Sequence, residues 1–315
     1  MTERFPTDWW AVILGGSSGF GLATAHKLAA HGMNLCLVHR DRRGAMARIE
    51  PEFEKLRATG VAVRTWNADA LDADARSQIL GELAKTLGEG GRVRLLLHSI
   101  AFGNLKLLAS ETPSPARATA ALAVELGVDE ERLRGAADRL FEAGHDALAG
   151  LASPPAYSQS SFLDEEDFAR TIHAMGTSLL GWVQDLLARG LFASDARVLG
   201  LTSEGNEVAW KGYAAVAAAK VALESLARSM ALELAPRGLR TNIVQAGITD
   251  TPALRAIPGS DRMKAGARLR NPFKRLTTPE DIASAIFLLC LDEAAWINGD
   301  VIRVDGGEHV SGEGR

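Results

Sequence analysis

A phenol and an ammonium group on one helix face can manage a proton between them. Tyr213 and Lys220 stand seven positions apart in a run that reads as one long helix over 212–234. Seven residues is close to two helical turns, so both side chains are expected on one face, with Val216 and Ala217. The chain has only two tyrosines, which weighs against incidental packing. A lysine beside a phenol favours the phenolate, so Tyr213 is expected to have a lowered pKa and to exchange a proton near neutrality. Taken alone, such a pair would more often be a surface pair.

A second chemistry sits near the start of the chain. Gly15, Gly19 and Gly21 follow a short apolar run and open a helical pattern, with Ser17, Ser18 and Phe20 in the same loop. The spacing GxxxGxG is a variant of GxGxxG, but the physics is shared. Glycine allows a tight turn and close backbone approach to a pyrophosphate, and the helix N-terminus supplies free N–H groups. A glycine trio alone is weak evidence, and the strand–loop–helix context strengthens it. At the end of the second strand, where an NAD-binding chain carries Asp or Glu, this one reads His39, then Arg40. An arginine there can pair with a 2′-phosphate, so NADPH is expected over NADH. The alternative is that Arg40, Arg42 and Arg43 form a solvated basic face, with Asp41 among them. Asp69–Ala70 follows the third strand, where the acid can cap the next helix, bond the adenine amino group, or do both.

The elements that must position these groups alternate. Short apolar strands are expected at 10–14, 34–38, 61–65, 92–97, 197–201, 240–244 and 301–304. Helical patterns fall at 19–31, 42–59, 73–87, 168–188, 212–234 and 278–291. This rhythm predicts an α/β fold, a Rossmann-type doubly wound parallel sheet, as a single domain over 1–315. The segment 102–167 breaks the rhythm as an inserted helical segment. It is Ala-rich, with expected helices at 116–126 and 129–149 and proline pairs at Pro113/Pro115 and Pro154/Pro155. It leaves from the carboxyl end of the fourth strand, where ligands bind in such sheets. It reads as a lid or subdomain, or equally as a peripheral decoration or oligomer contact.

Composition narrows the function classes. The 315 residues are 47% hydrophobic and 23% charged, with formal net charge −4, which makes no electrostatic case for nucleic acid or an anionic membrane. No stretch of about 18 apolar residues suggests a span. MTERFPTDWW lacks a basic start and apolar run, so a cytoplasmic location is expected. Cys36 and Cys290 sit in apolar runs and read as buried small hydrophobes, and no His/Cys/Asp cluster has metal spacing.

Taken together, GGSSGFG, Asp69, the Tyr–Lys helix and the terminal VIRVDGG with Asp305, Gly306 and Gly307 resemble the short-chain dehydrogenase/reductase family over nearly the whole chain. Within it the details resemble the enoyl-acyl-carrier-protein reductases. Ordinary members place Tyr four residues before Lys, a position held here by Val216; the enoyl reductases place it seven before. His98–Ser99–Ile100–Ala101–Phe102 replaces an Asn-Asn-Ala-Gly motif. Ala246–Gly247–Ile248–Thr249–Asp250–Thr251 replaces a Pro-Gly turn, and YAAVAAAKVALES is most similar to the NADPH-using branch.

The resemblance implies reduction of a 2-enoyl thioester, carried on acyl carrier protein or coenzyme A, as in fatty acid biosynthesis. It implies that Tyr213 stabilises the enolate and that Lys220 holds the ribose hydroxyls. Ser99, Ile100, Ala101, Gly247, Ile248, Thr249 and Thr251 would lie along the cofactor, with Ile248 and Thr251 at the nicotinamide. The insertion would cover the acyl chain, and a homotetramer would form through helices 171–188 and 212–234. Moving the phenol by one turn, roughly 5 Å, suits the chemistry, because charge develops two carbons from the hydride acceptor.

Departures from the pattern are Leu14 where ordinary members have Thr, and Ser203 where enoyl reductases often carry an aromatic. The glycine loop is of the ordinary type and the insertion is long. Ser203 either orients substrate or water or ends its strand. His98 is expected to be structural, and His173 either faces the site or packs. Two other readings stay open: a ketone or 3-oxoacyl thioester reductase, and a catalytically silent NADP-binding regulator.

Overall fold

In the computed structural model, which describes residues 5–111 and 117–312, seven strands form one sheet in the order β3-β2-β1-β4-β5-β6-β7. They are β1 (Trp9–Leu14), β2 (Asn34–His39), β3 (Val63–Asn67), β4 (Arg92–His98), β5 (Phe192–Ser203), β6 (Leu239–Ala246) and β7 (Val301–Val304). All pairings are parallel. The central strands are continuously apolar because both faces are covered. Val12, Leu14, Cys36, Val38 and Leu96 point into one core, and Ala11, Ile13, Leu35, Leu37 and Leu97 into the other.

Helices α3 (Ala73–Leu87), α7 (Ser178–Ala188) and α8 (Ala214–Glu233) cover the first face. Helices α1 (Gly19–Ala30), α2 (Met46–Arg57) and α11 (Pro279–Cys290) cover the second. The winding reverses between β1 and β4, which opens a crevice at their carboxyl ends. The Rossmann-type doubly wound sheet expected from the sequence is the observed architecture.

Several boundaries differ. β5 begins at Phe192, five residues before the expected start, and β3 begins at Val63 rather than 61. The expected helix 168–188 is α6 (Glu165–Ile172) and α7 joined by one π turn, His173–Thr177. There Gly176 backs onto α8 so closely that a Cβ would lie 2.8 Å from the Ala219 carbonyl oxygen. Two helices had no expected counterpart: α9 (Pro252–Arg255) and α10 (Ser260–Arg270). α9 is opened by the Thr251 side chain, which accepts from the Leu254 amide, with Pro252 in the first turn.

The insertion contains α4 (Arg117–Leu126) and α5 (Glu130–Glu142), and a 3₁₀ turn at Asp146–Gly150 replaces the end of the expected 129–149 helix. Gly144, at φ 98°, breaks it. Pro113, Pro115 and residue 116 lie outside the described residues. The insertion rests on α10. Arg268 makes a two-pronged ion pair with Asp146 (2.6 and 2.5 Å), and Arg262 donates to the Ala152 and Ser153 carbonyls. Among the described residues no helix is long and apolar enough to cross a membrane, and no group of three or more His, Cys, Asp or Glu is placed to hold a metal. Cys36 and Cys290 are buried, and burial pushes both thiols up.

Far from the crevice, Asp195 holds three arginines: Arg94 (2.7 Å), Arg197 (2.5 Å) and Arg240 (2.5 Å). Arg94 and Arg197 are fully buried and also cap the carboxyl end of α11, donating to the Cys290 and Leu289 carbonyls. Asp195→Ala should leave buried Arg197 without its carboxylate and Arg94 with Asp292 alone, and cost about 3 kcal/mol in urea unfolding. Cofactor affinity of the folded fraction should be unchanged.

Candidate active site

The loop after β1 is built from backbone contacts that leave no room for side chains. A Cβ on Gly15 (φ 88°) would lie 2.4 Å from the Ser99 carbonyl oxygen, and one on Gly21 2.2 Å from the Gly15 carbonyl oxygen. Gly15 and Gly16 both donate to the Val38 carbonyl (2.8 and 3.1 Å). Helix α1 starts at Gly19; its N-cap, Ser18, makes no side-chain capping bond, and no acid occupies the first turn. An uncapped helix N-terminus at the wall of a cleft is a ready anion cradle. Gly15, Ser17, Ser18, Gly19 and Phe20 line that cleft. Gly21 does not: it lies beneath the loop and permits the close packing.

At the outer end, His39 is buried, bonded to Asp41 (2.9 Å), with its ring against Phe53. Arg40 is half exposed at the cleft edge, paired with Asp69 (2.7 Å) and stacked over the Phe102 ring (4.4 Å). Asp69 does not cap α3; Asp72 does, accepting from the Ala75 amide (2.8 Å). Ala70, Ser99, Ile100 and Ala101 continue the wall, and Gly247, Ile248, Thr249 and Thr251 face them.

Ser203, Tyr213 and Lys220 meet at the inner end of the same cleft. Tyr213 is not inside the helix, as the pattern suggested, but at its N-cap, with non-helical backbone (φ −111°, ψ 3°). Its hydroxyl lies 3.4 Å from Ser203 Oγ, the last residue of β5. Its ring packs against Gly205, where a Cβ would come within 2.5 Å of it.

The expectation that Lys220 lowers the Tyr213 pKa is overturned. Lys220 Nζ donates to the Leu201 carbonyl (2.8 Å) rather than to the phenol. Burial dominates and raises the Tyr213 pKa, with only the Ser203 bond opposing it. Burial also brings Lys220 down to about 8, against the pull of Glu224. His98 is buried and bonded to Ser178 (2.9 Å); burial, then the Lys220 charge, takes its pKa from 6.5 to about 3, so the imidazole is neutral. His173 is exposed and does not line the cleft, so its packed and site-facing readings both fail.

Most of the remaining wall is apolar, with Leu105, Met175, Val216, Leu254, Ile257, Met263 and Trp210, beside polar Thr202 and Glu204. The cleft is about 610 Å³, the scale of a site for small molecules. Among the described residues of the insertion, Phe102, Gly103 and Leu105 reach it. Sequence reasoning missed Leu254, Ile257 and Met263 with their helices, although the Thr251–Pro252 pair is a helix-start signal. It also missed Glu204, Gly205 and Trp210, for which no local signal exists.

Two family models match the chain: one described as short chain dehydrogenase over residues 9–125, the other as enoyl-(acyl carrier protein) reductase over 129–309. An uncharacterized oxidoreductase of Mycobacterium tuberculosis is 25% identical over 302 residues, 95% of this chain and 92% of that protein. The NADH enoyl-acyl-carrier-protein reductase FabI of Escherichia coli is 34% identical over 123 residues, 39% of this chain and 47% of the reductase. The 3-oxoacyl-acyl-carrier-protein reductase FabG of Escherichia coli is 39% identical over 99 residues, 31% of this chain and 40% of the reductase. The alignments thus span less than half the length of these two reductases.

Among solved structures, an enoyl-acyl-carrier-protein reductase from Anaplasma phagocytophilum in complex with NAD superposes with a TM-score of 0.69 at 20% identity, covering 100% of this chain and 97% of that one. A short-chain dehydrogenase from Burkholderia cenocepacia in complex with NADP gives 0.67 at 20% identity, covering 98% of each. These two likenesses establish the fold.

Two outcomes follow from the geometry. Gly21→Ala must displace the Gly15 backbone, and nicotinamide-dinucleotide affinity by fluorescence titration should fall at least ~10-fold. Neutral His98 binds a proton only on unfolding between about pH 6.5 and 3. Its stability contribution is therefore full above 6.5 and is lost as the pH falls towards 3. In His98→Asn the loss of melting temperature across that window should be shallower than in the parent chain.

Proposed function

The chain belongs to the short-chain dehydrogenase/reductase family, and from that premise we propose that this oxidoreductase reduces a 2-enoyl thioester with NADPH. The observation that carries the reading is the placement of the phenol. Tyr213 lies seven residues before Lys220, at the head of α8, while the position four before is Val216, buried against Gly103. A phenol set one turn outward is distant enough to meet an oxygen two carbons beyond the hydride acceptor.

The residues fit a dinucleotide. The glycine backbone and the uncapped start of α1 suit a pyrophosphate, and Arg40 at the cleft edge suits a 2′-phosphate, exchanging its Asp69 partner for it. The dinucleotide would supply the hydride to the β-carbon. Lys220, held by the Leu201 carbonyl, is aimed to bind ribose hydroxyls. Because burial keeps Tyr213 protonated, it serves as a hydrogen-bond donor to the enolate oxygen and a source of the proton. The apolar wall formed by Met175, Leu254, Ile257 and Met263 accepts an acyl chain and excludes water.

Exposed Leu180, Val221 and Leu232 on α7 and α8 suit burial against further copies of the chain, as a homotetramer would provide. Carbonyl reduction is the second reading. Ser203 and Tyr213 present two hydroxyls 3.4 Å apart that can share one carbonyl oxygen, and the FabG likeness points the same way.

The test is NADPH oxidation with crotonyl-CoA beside acetoacetyl-CoA. Turnover of the enoyl thioester, reduced at least ~100-fold in kcat by Tyr213→Phe, is expected. Turnover of acetoacetyl-CoA alone would overturn the reading. Arg40→Gln should raise KM for NADPH at least ~10-fold while leaving that for NADH near its starting value.

A further inference from the structure

One buried ion group in the cleft wall has no part in the mechanism above. Arg270, the last residue of α10, extends its Nη2 to two carboxylates at once: Glu204 and Glu308 (2.6 Å). All three side chains are nearly buried, at 12%, 8% and 2% exposure. Two acids share one guanidinium in the interior, one carboxyl in excess of the cation. Apolar residues of similar shape often replace buried ion groups without loss of stability, so position is the property to test for this trio.

Each carboxylate stands at a functional strand end. Glu204 follows Ser203 and lines the cleft, next to Gly205, against which the Tyr213 ring lies. Glu308 follows β7, and its Oε2 accepts from the Ile248 amide (3.3 Å) in the turn after β6. A Cβ on Gly247 would sit 3.0 Å from that same oxygen, so the carboxylate fits against the turn backbone. Asn271 adds a second tie, donating to the Asp305 carbonyl (2.9 Å). The helix that Arg270 ends carries Met263 into the apolar wall.

We infer that Arg270 is a positioning residue for substrate: it pins the α9–α10 segment to the ends of β5 and β7 and so sets the height of the apolar wall above Ser203 and Tyr213. The substrate arm of its test rests on the reductase reading; the other arms do not. The charged groups around the trio are Asp305 on the β7 side and, beside it, the Glu207–Arg303–His309 group. Burial raises the Glu308 pKa even with Arg270 in place.

Arg270→Met should raise the KM of whichever thioester is turned over by at least ~10-fold, with NADPH affinity within ~3-fold of the parent. Trypsin should cut faster at Arg255, Arg262 and Lys264, which lie in the released segment. Without Arg270 to oppose burial, the Glu308 pKa should rise further, so the loss in melting temperature should be larger at about pH 8 than at about pH 5.5. Arg270→Met/Glu308→Gln, with one orphaned charge removed, should regain melting temperature but not KM or trypsin resistance. Arg270→Lys should recover part of each.

A folded variant with parental KM and parental trypsin cleavage would overturn the inference. So would recovery of KM and trypsin resistance in the double variant, since the effect would then be stability alone. If Arg270→Met fails to fold, the double variant and Arg270→Lys decide by the same measures. If the parent turns over neither thioester, the reductase reading fails, while the trypsin and pH arms still decide the role of Arg270.

Discussion

The structure depends on how closely three stretches of backbone approach one another at the end of β1. The loop crosses within van der Waals contact of the Ser99 carbonyl after β4, and the first turn of α1 presses on the loop in turn. No residue with a Cβ fits at Gly15 or Gly21 without moving main chain, so the glycines are a packing requirement before they are a binding motif. That convergence sits at the point where the sheet changes winding direction, and it leaves the helix start facing an open crevice. The positions of Asp69, Ser99 and the 247–251 turn relative to one another follow from parallel strands held in register around it.

Electrostatics in the cleft are governed by burial more than by pairing. Tyr213 is kept protonated, Lys220 is brought down to about 8, and His98 is neutral, each chiefly because its charged form has lost water. The chemical consequence is a protonated phenol, able to donate, in the same cleft as a lysine anchored to a strand carbonyl. Placing Tyr213 at the N-cap rather than within α8 frees its ring to lie on Gly205 and its hydroxyl to reach Ser203.

The chain closes its cleft with two added layers. The α9–α10 segment supplies the apolar wall, and the insertion braces α10 from outside through Asp146 and the carbonyls of Ala152 and Ser153. Pro155 reaches within contact of Gly259 at the head of α10, and Tyr157 packs on Gly212, the neighbour of Tyr213. The insertion therefore touches both the wall and the loop that carries the phenol, although none of the described residues of α4 and α5 lines the cleft. The contacts that brace α10 are backbone carbonyls, ion pairs and a glycine face, none of which has a periodic signature.

The sequence by itself determined the alternation of strands and helices, the parallel sheet, the glycine loop and the Tyr213–Lys220 spacing. These are local: apolar runs buried on both faces, glycine where only glycine fits, and a fixed rise per residue are written in short windows. The tertiary structure alone decided that Lys220 bonds Leu201 rather than Tyr213, that the phenol pKa rises, that Asp69 pairs with Arg40 rather than capping α3, and that His173 faces away from the cleft. It also decided that Glu204, Arg270 and Glu308, distant in the chain, share one buried site. Charge partners and burial depend on which surfaces meet once the sheet is wound. A Coulomb or desolvation effect is set by distance in space, which no spacing along the chain reports.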